Sequence, residues 1–170
     1  MKKVLLTALA IFAFGFANAQ DGGFRVGLHA GIPMGDAKDI YSANFGADVA
    51  YMWPVAENFL AGLTTGYSYY SGKSVEYSDG FTTISVKTNG AFIPVAATGQ
   101  YTIADKLFLG VDLGYAVYVG DGDGDGGFLY QPKIGYDLGK VDLALSYKGI
   151  SVTGGTISSV NLSAAYKFGK

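Results

Sequence analysis

Apolar residues recur at every second position through most of this 170-residue chain. That is the period of a β-strand whose two faces meet different surroundings. In the first segment Phe24, Val26, Leu28, Ala30 and Ile32 share one face, and Arg25, Gly27, His29 and Gly31 share the other. The second sets Phe45, Ala47, Val49, Tyr51 and Trp53 against Asn44, Gly46, Asp48 and Ala50. A short turn over 54–58 leads into the third, with Phe59, Ala61, Leu63, Thr65, Tyr67 and Tyr69. The fourth returns from a hairpin tip at Ser78-Asp79-Gly80-Phe81, where Asp-Gly suits a type I′ turn. Its parity switches at Asn89-Gly90, from Ile84 and Val86 to Ile93, Val95 and Ala97. Such a switch beside a glycine predicts a β-bulge.

A second turn over 103–106 opens the fifth segment, Leu107 to Val117. The sixth carries Phe128, Tyr130, Ile134, Tyr136 and Leu138. Gly139-Lys140 reads as a two-residue hairpin of type II′ joining it to the seventh, Val141 to Tyr147. The eighth ends on Val160, Leu162, Ala164, Tyr166 and Phe168. Eight segments of about ten residues match tilted strands that cross a bilayer. Connections after the even segments are short. Those after the odd ones are longer or richer in Gly, Asp and Ser, the alternation of inner turns and outer loops in an outer-membrane barrel. The expected fold is therefore all-β, an eight-stranded antiparallel up-and-down transmembrane β-barrel over residues 20–170, whose third and fourth strands run beyond the membrane as a hairpin.

The first nineteen residues read as a cleaved signal peptide. Lys2 and Lys3 form the basic end, Val4 to Phe16 the apolar stretch, and Ala17-Asn18-Ala19 the small-x-small cleavage site. The apolar stretch is shorter than the roughly 20 residues of a membrane-spanning helix. Cleavage also removes two of the chain's 12 basic residues and leaves the remainder more acidic.

Composition decides which face points outward. Charged residues make up only 15% of the chain and hydrophobic residues 49%, too little charge to solvate an ordinary surface. The second face is dominated by Gly, Ala and Ser with scattered charges, which suits the narrow lumen of an eight-stranded barrel better than a solvated exterior. Aromatic residues also gather toward both strand ends: Phe24, Trp53, Phe59, Tyr101, Tyr136 and Phe168 at one, Tyr67, Tyr69, Tyr115, Tyr147 and Phe128 at the other. They fit two membrane interfaces. The alternative is a soluble periplasmic lipid-binding barrel with the apolar face turned inward. No basic stripe is present, so no nucleic-acid partner is expected. The absence of cysteine excludes disulfides and thiolate sites.

These residues resemble the small outer-membrane β-barrel proteins often labelled porin-like, whose fold is similar to the transmembrane domain of outer membrane protein A and to outer membrane protein X. The resemblance spans the chain: the signal ending Ala17-Asn18-Ala19-Gln20, the strand start Phe92-Ile93-Pro94-Val95, and the closing Ala165-Tyr166-Lys167-Phe168. Barrels of that kind usually stop at the terminal aromatic, whereas Gly169 and Lys170 follow Phe168 here. The resemblance implies an integral outer-membrane protein of a Gram-negative bacterium, monomeric, in contact with outer-membrane lipids.

The inward parity assembles a polar lumen from Arg25, His29, Asp48, Asp112, Lys133, Asp137, Asp142, Lys148 and Lys167, with Asn44, Gln131 and Asn161 as neutral members. Four acids against four bases predict a lumen closed by its own ion pairs, because buried charge needs partners. One cluster can be placed. Across the Gly139-Lys140 turn Asp137 faces Asp142, a destabilising like-charge pair that Arg25 and Lys167 are positioned to neutralise.

Other motifs carry less. Asp121, Asp123 and Asp125 match the first half of a calcium loop, but position twelve is Pro132 rather than a bidentate glutamate, so a flexible acidic outer loop is expected. Gly122 to Gly127 satisfies G-x-G-x-x-G without a helix to open, and its aspartates repel a pyrophosphate. No cofactor is implied. The chain lacks a G-x-S-x-G elbow, and His29 is its only histidine base. An esterase-type site therefore requires a hydroxyl and an acid within reach of that ring in a lipid-accessible crevice; otherwise the chain is not an enzyme. The expected function is a closed structural or surface-interaction module, with the hairpin around Ser71 to Thr88 as its contact surface. A narrow porin-like channel is the alternative.

Overall fold

The computed structural model describes residues 23–78, 83–120 and 124–168. The strands are β1 (Gly23–Met34), β2 (Tyr41–Ala56), β3 (Phe59–Gly72), β4 (Ser74–Ser78), β5 (Thr83–Lys87), β6 (Gly90–Ala104), β7 (Leu107–Tyr118), β8 (Gly127–Asp137), β9 (Val141–Val152) and β10 (Gly155–Phe168). A single helical turn, α1 (Ala37–Ile40), lies between β1 and β2. Eight strands close into a barrel in the order β1-β10-β9-β8-β7-β6-β3-β2, and β4 pairs with β5 alone. Closure is antiparallel and continuous from Phe24 opposite Phe168 to Met34 opposite Ser158. The shortest barrel strand, β8, has 11 residues, enough to cross a hydrocarbon core at a tilt.

The period-two pattern sorts the wall as expected. Leu28 and Ile32 are each 68% exposed and Leu162 63%, part of an apolar belt to which every barrel strand contributes. A contiguous exposed surface of this kind is stable only against lipid. Both predicted aromatic girdles sit on it or at its edge, with Tyr101, Tyr136 and Phe168 outward at one end and Tyr67, Tyr115 and Phe128 at the other.

Four details differ from the pattern reading. The parity change near Asn89-Gly90 is a strand break, since β5 ends at Lys87 and β6 begins at Gly90; no bulge is needed when the hairpin is a separate sheet. The turns at 54–58 and 103–106 are tighter, because β2 extends to Ala56 and β6 to Ala104, each through a register shift beside the turn. The connection after the seventh barrel strand is also a tight turn, with Gly154 at φ +90°. Finally, α1 was not foreseen in the first loop; its four residues carry no helical period. Residues 1–22, Asp121 and Asp123 fall outside the described residues, as does the hairpin tip at 79–82. Asp125 is exposed.

Candidate functional site: a lumen filled in three layers

The lumen is built upward from the turn between β8 and β9. Gly139 adopts φ +91°, a conformation that favours glycine, while the Leu138 amide donates to the Val141 carbonyl at 2.9 Å. This two-residue turn fixes the register and sets Asp137 opposite Asp142. Lys167 on β10 reaches both carboxylates, at 2.6 Å from Asp137 and 3.1 Å from Asp142. Arg25 on β1 donates to Asp142 at 2.7 Å and across the barrel to Gln100 at 2.6 Å. A second pair, Lys133 with Asp112 at 2.7 Å, lies on the facing strands, and Lys133 also donates to Thr98 at 3.4 Å. Between the two groups is a cavity of about 100 Å³ lined by Arg25, Asp48, Gln100, Asp112, Lys133 and Asp142, among others. It has room for a few waters.

Above the ionic layer lies a hydrogen-bonded one. His29 Nδ1 is 2.6 Å from Asp48, and His29 Nε2 is 3.3 Å from Ser68 Oγ. Lys148 Nζ lies 3.2 Å from both His29 Nε2 and Ser68 Oγ, and Asn44 donates to Ser68 Oγ at 2.9 Å. The glycines of the inward face make room for these side chains: a Cβ on Gly46 would strike the His29 ring, and one on Gly31 would strike Asn161. Asn161 donates to Ser159 at 3.0 Å, whose hydroxyl is 3.1 Å from Tyr70 Oη.

Tyr70 begins the third layer, an apolar plug at the loop end. Its buried members include Tyr41, Tyr70, Phe92, Leu129 and Ile150, and Ala37 of α1 packs on top. The Tyr70 and Phe92 rings meet edge-on at 5.9 Å, and Phe92 meets Tyr118 at 5.4 Å.

All nine predicted lumen residues thus fall into two layers. Arg25, Asp137, Asp142 and Lys167 form one group, Lys133 and Asp112 a second, and His29, Asp48 and Lys148 a third. Among the neutral members, Asn44 and Asn161 join the middle layer and Gln131 donates to Ser146 at 3.1 Å. Sequence reading missed Ser68 and Gln100, although both lie on the inward parity that Tyr67 and Tyr101 define. The plug was missed as well.

Ser68, His29 and Asp48 stand in the order of a hydroxyl, base and acid relay. Ser68 is 1% exposed, however, within the hydrogen-bonded layer. Among the described residues Asp48 lines the cavity below, while Ser68 and His29 are buried away from it. Among the described residues no group of three or more histidine, aspartate or glutamate side chains is placed to hold a metal ion.

No protein-family model matches the chain, and no curated protein matches it. Solved structures do. The outer membrane protein Ail of Yersinia pestis, in a phospholipid bilayer nanodisc, superposes with a TM-score of 0.56 at 14% identity, covering 87% of this chain and all of Ail. The crystal structure of Ail, the attachment invasion locus protein, gives 0.53 at 14% identity over 86% of this chain and 97% of Ail. A de novo designed transmembrane β-barrel also gives 0.53 at 14% identity, over 86% and 95%. The chain therefore has the fold of the small eight-stranded outer-membrane barrels. The designed barrel reaches the same fold with no natural function, so the likeness speaks for architecture. Together with the apolar belt, that architecture places the protein in an outer membrane.

Proposed function

We propose that this protein is a closed outer-membrane barrel serving as a structural and surface-interaction module, neither a pore nor an enzyme. The observation that carries the reading is the loop-end plug, where Tyr70, Phe92, Leu129 and Ile150 are at most 1% exposed. A pore needs a continuous wet path. Here water entering the cavity at the turn end meets first a hydrogen-bonded layer and then an apolar one. Sealed placement of Ser68 likewise supports a structural role for the Ser68–His29–Asp48 relay, and it predicts no labelling of Ser68 by a fluorophosphonate.

Surface interaction falls to the β4–β5 hairpin. It leaves the wall as its own two-stranded sheet, and its base is tied down: the Lys73 amide donates to the Ile40 carbonyl at 2.7 Å, and the Gly72 amide to Asn89 Oδ1 at 3.0 Å. A two-stranded sheet with free edges can accept an extended segment of a partner as a further strand.

Single-channel recording in a planar bilayer tests the closed reading. The expected trace for the native chain has no steady unitary conductance, and Phe92→Ala combined with Tyr70→Ala introduces flickering openings. A steady conductance from the native chain would replace this reading with the narrow channel.

A further inference from the structure

On the outer wall near the turn end, the strands leave a trough in the apolar belt. Register stacks two outward rows there. Leu107, Tyr136 and Leu143 form the lower row across β7, β8 and β9. Ile134, Leu145 and Leu162 form the upper row across β8, β9 and β10. Between the rows, the paired Gly135 and Ala144 have inward parity, so backbone forms the floor. These residues line a trough of about 230 Å³.

Below the lower row a second hollow, of about 450 Å³, lies between the β6–β7 turn and β8. Ala104, Asp105 and Lys106 line it together with Leu107 and Tyr136, the two residues that also wall the trough. The Asp137 amide donates to the Lys106 carbonyl at 2.7 Å and holds the turn against β8. Asp105 and Lys106 are both exposed, and neither belongs to an ion pair among the described residues. The other turns at this end differ. The β2–β3 turn offers Glu57 and Asn58 without a base, and at the β8–β9 turn Asp137 is taken by Lys167. An apolar trough thus opens into a hollow that carries one cation and one anion, with the Tyr136 ring at the junction.

We propose that this composite site binds one phospholipid with a zwitterionic ethanolamine headgroup. Short turns of outer-membrane barrels face the periplasm, and the leaflet there is phospholipid. An acyl chain lies in the trough and the headgroup in the hollow. The Lys106 ammonium pairs with the lipid phosphate, and the Asp105 carboxylate with the lipid ammonium. Tyr136, outward in the girdle at this end, supplies a hydroxyl at the level of the ester groups, the usual setting of an interfacial tyrosine. The two charges select as well as bind. A phosphatidylglycerol head brings the phosphate without the ammonium, so Asp105 opposes it. The site is on the outer wall, so it is independent of whether the lumen conducts.

The test uses the mature full-length barrel in nanodiscs of equal parts phosphatidylethanolamine and phosphatidylglycerol. Each lipid is supplied in turn with a diazirine on its acyl chain, and crosslinked peptides are mapped by mass spectrometry. Labelling over 134–145 is divided by labelling over 45–53 on the opposite wall, which corrects for bulk lipid. This ratio should favour the ethanolamine probe by about threefold, the scale of one exposed ion pair. Asp105→Asn should abolish the preference, and Lys106→Gln should lower the ratio for both probes. Leu162→Trp, which fills the trough and leaves the turn intact, should also lower it for both. A heat-dependent mobility shift checks that each variant is folded. Equal ratios for the two probes in the native barrel would mean ordinary surrounding lipid and overturn the proposal. A preference for phosphatidylglycerol, a preference unchanged in Asp105→Asn, or a ratio unmoved by Leu162→Trp would overturn it too.

Discussion

The two ends of the lumen are packed by opposite means. At the turn end, Asp142 is almost buried and is held by two bases, Arg25 and Lys167. At the loop end, Phe92 and Tyr70 are buried among carbon atoms, with one hydroxyl bond from Tyr70 to Ser159. Ion pairing fixes direction and register, because each charge accepts few partners. Apolar packing fixes little direction but excludes water and supplies most of the stabilisation per residue. A barrel uses both: its turns must find one register, and its interior must be filled.

The comparison breaks most visibly if the plug is hollowed. Phe92→Ala should lower unfolding stability by about 3–5 kcal/mol, as for other large-to-small core changes. Urea unfolding in detergent micelles measures this, and the loss should be insensitive to salt. Arg25→Met should cost less, about 2–3 kcal/mol, because Asp142 keeps Lys167 at 3.1 Å. Adding Asp142→Asn to Arg25→Met should recover more than half of that loss, whereas no second substitution in the plug rescues Phe92→Ala without refilling its volume. Replacing both Arg25 and Lys167 by Met sharpens the contrast further. It leaves Asp137 and Asp142 facing each other without a base, so stability should fall as pH rises and the carboxylates ionise. A double variant as stable as the native chain from acid to neutral pH would show that the bases do not neutralise the pair.

The ionic end was legible in the sequence and the plug was not, for a physical reason. A two-residue turn pins register, so Gly139-Lys140 alone set Asp137 opposite Asp142, and parity then brought Arg25 and Lys167 to the same rim. Alternation informs only where the two faces differ. At the loop end they do not: lipid lies outside and the plug inside, so Tyr69-Tyr70, Phe92-Ile93 and Phe128-Leu129-Tyr130 run apolar on both parities. Those runs were the available signal, because a strand buried on both faces loses its period. Ser68 and Gln100 needed only the parity already in hand. The pairing of His29 with Asp48 across β1 and β2 did not follow from parity, since that register places Gly46, not Asp48, directly opposite His29.

The smallest expected effect separates strain from register. Gly139 and Gly154 have nearly equal φ, +91° and +90°, and a Cβ at either meets nothing within 4 Å. Alanine at each therefore meets no steric clash and carries in common the cost of the left-handed backbone, about 1–2 kcal/mol. The two sites differ in the contacts beside the turn. The Gly139 amide donates to Asp137 at 2.6 Å, so a shifted turn there disturbs the carboxylate that Lys167 holds. Gly154 sits at the loop end with no ion pair among its described contacts. Gly139→Ala should thus cost more than Gly154→Ala, and part of the difference should vanish in the Asp137→Asn background, which removes the charge the turn positions. Equal losses in both backgrounds would mean that the turn sets chain direction alone and that the ionic layer finds its register from the strands.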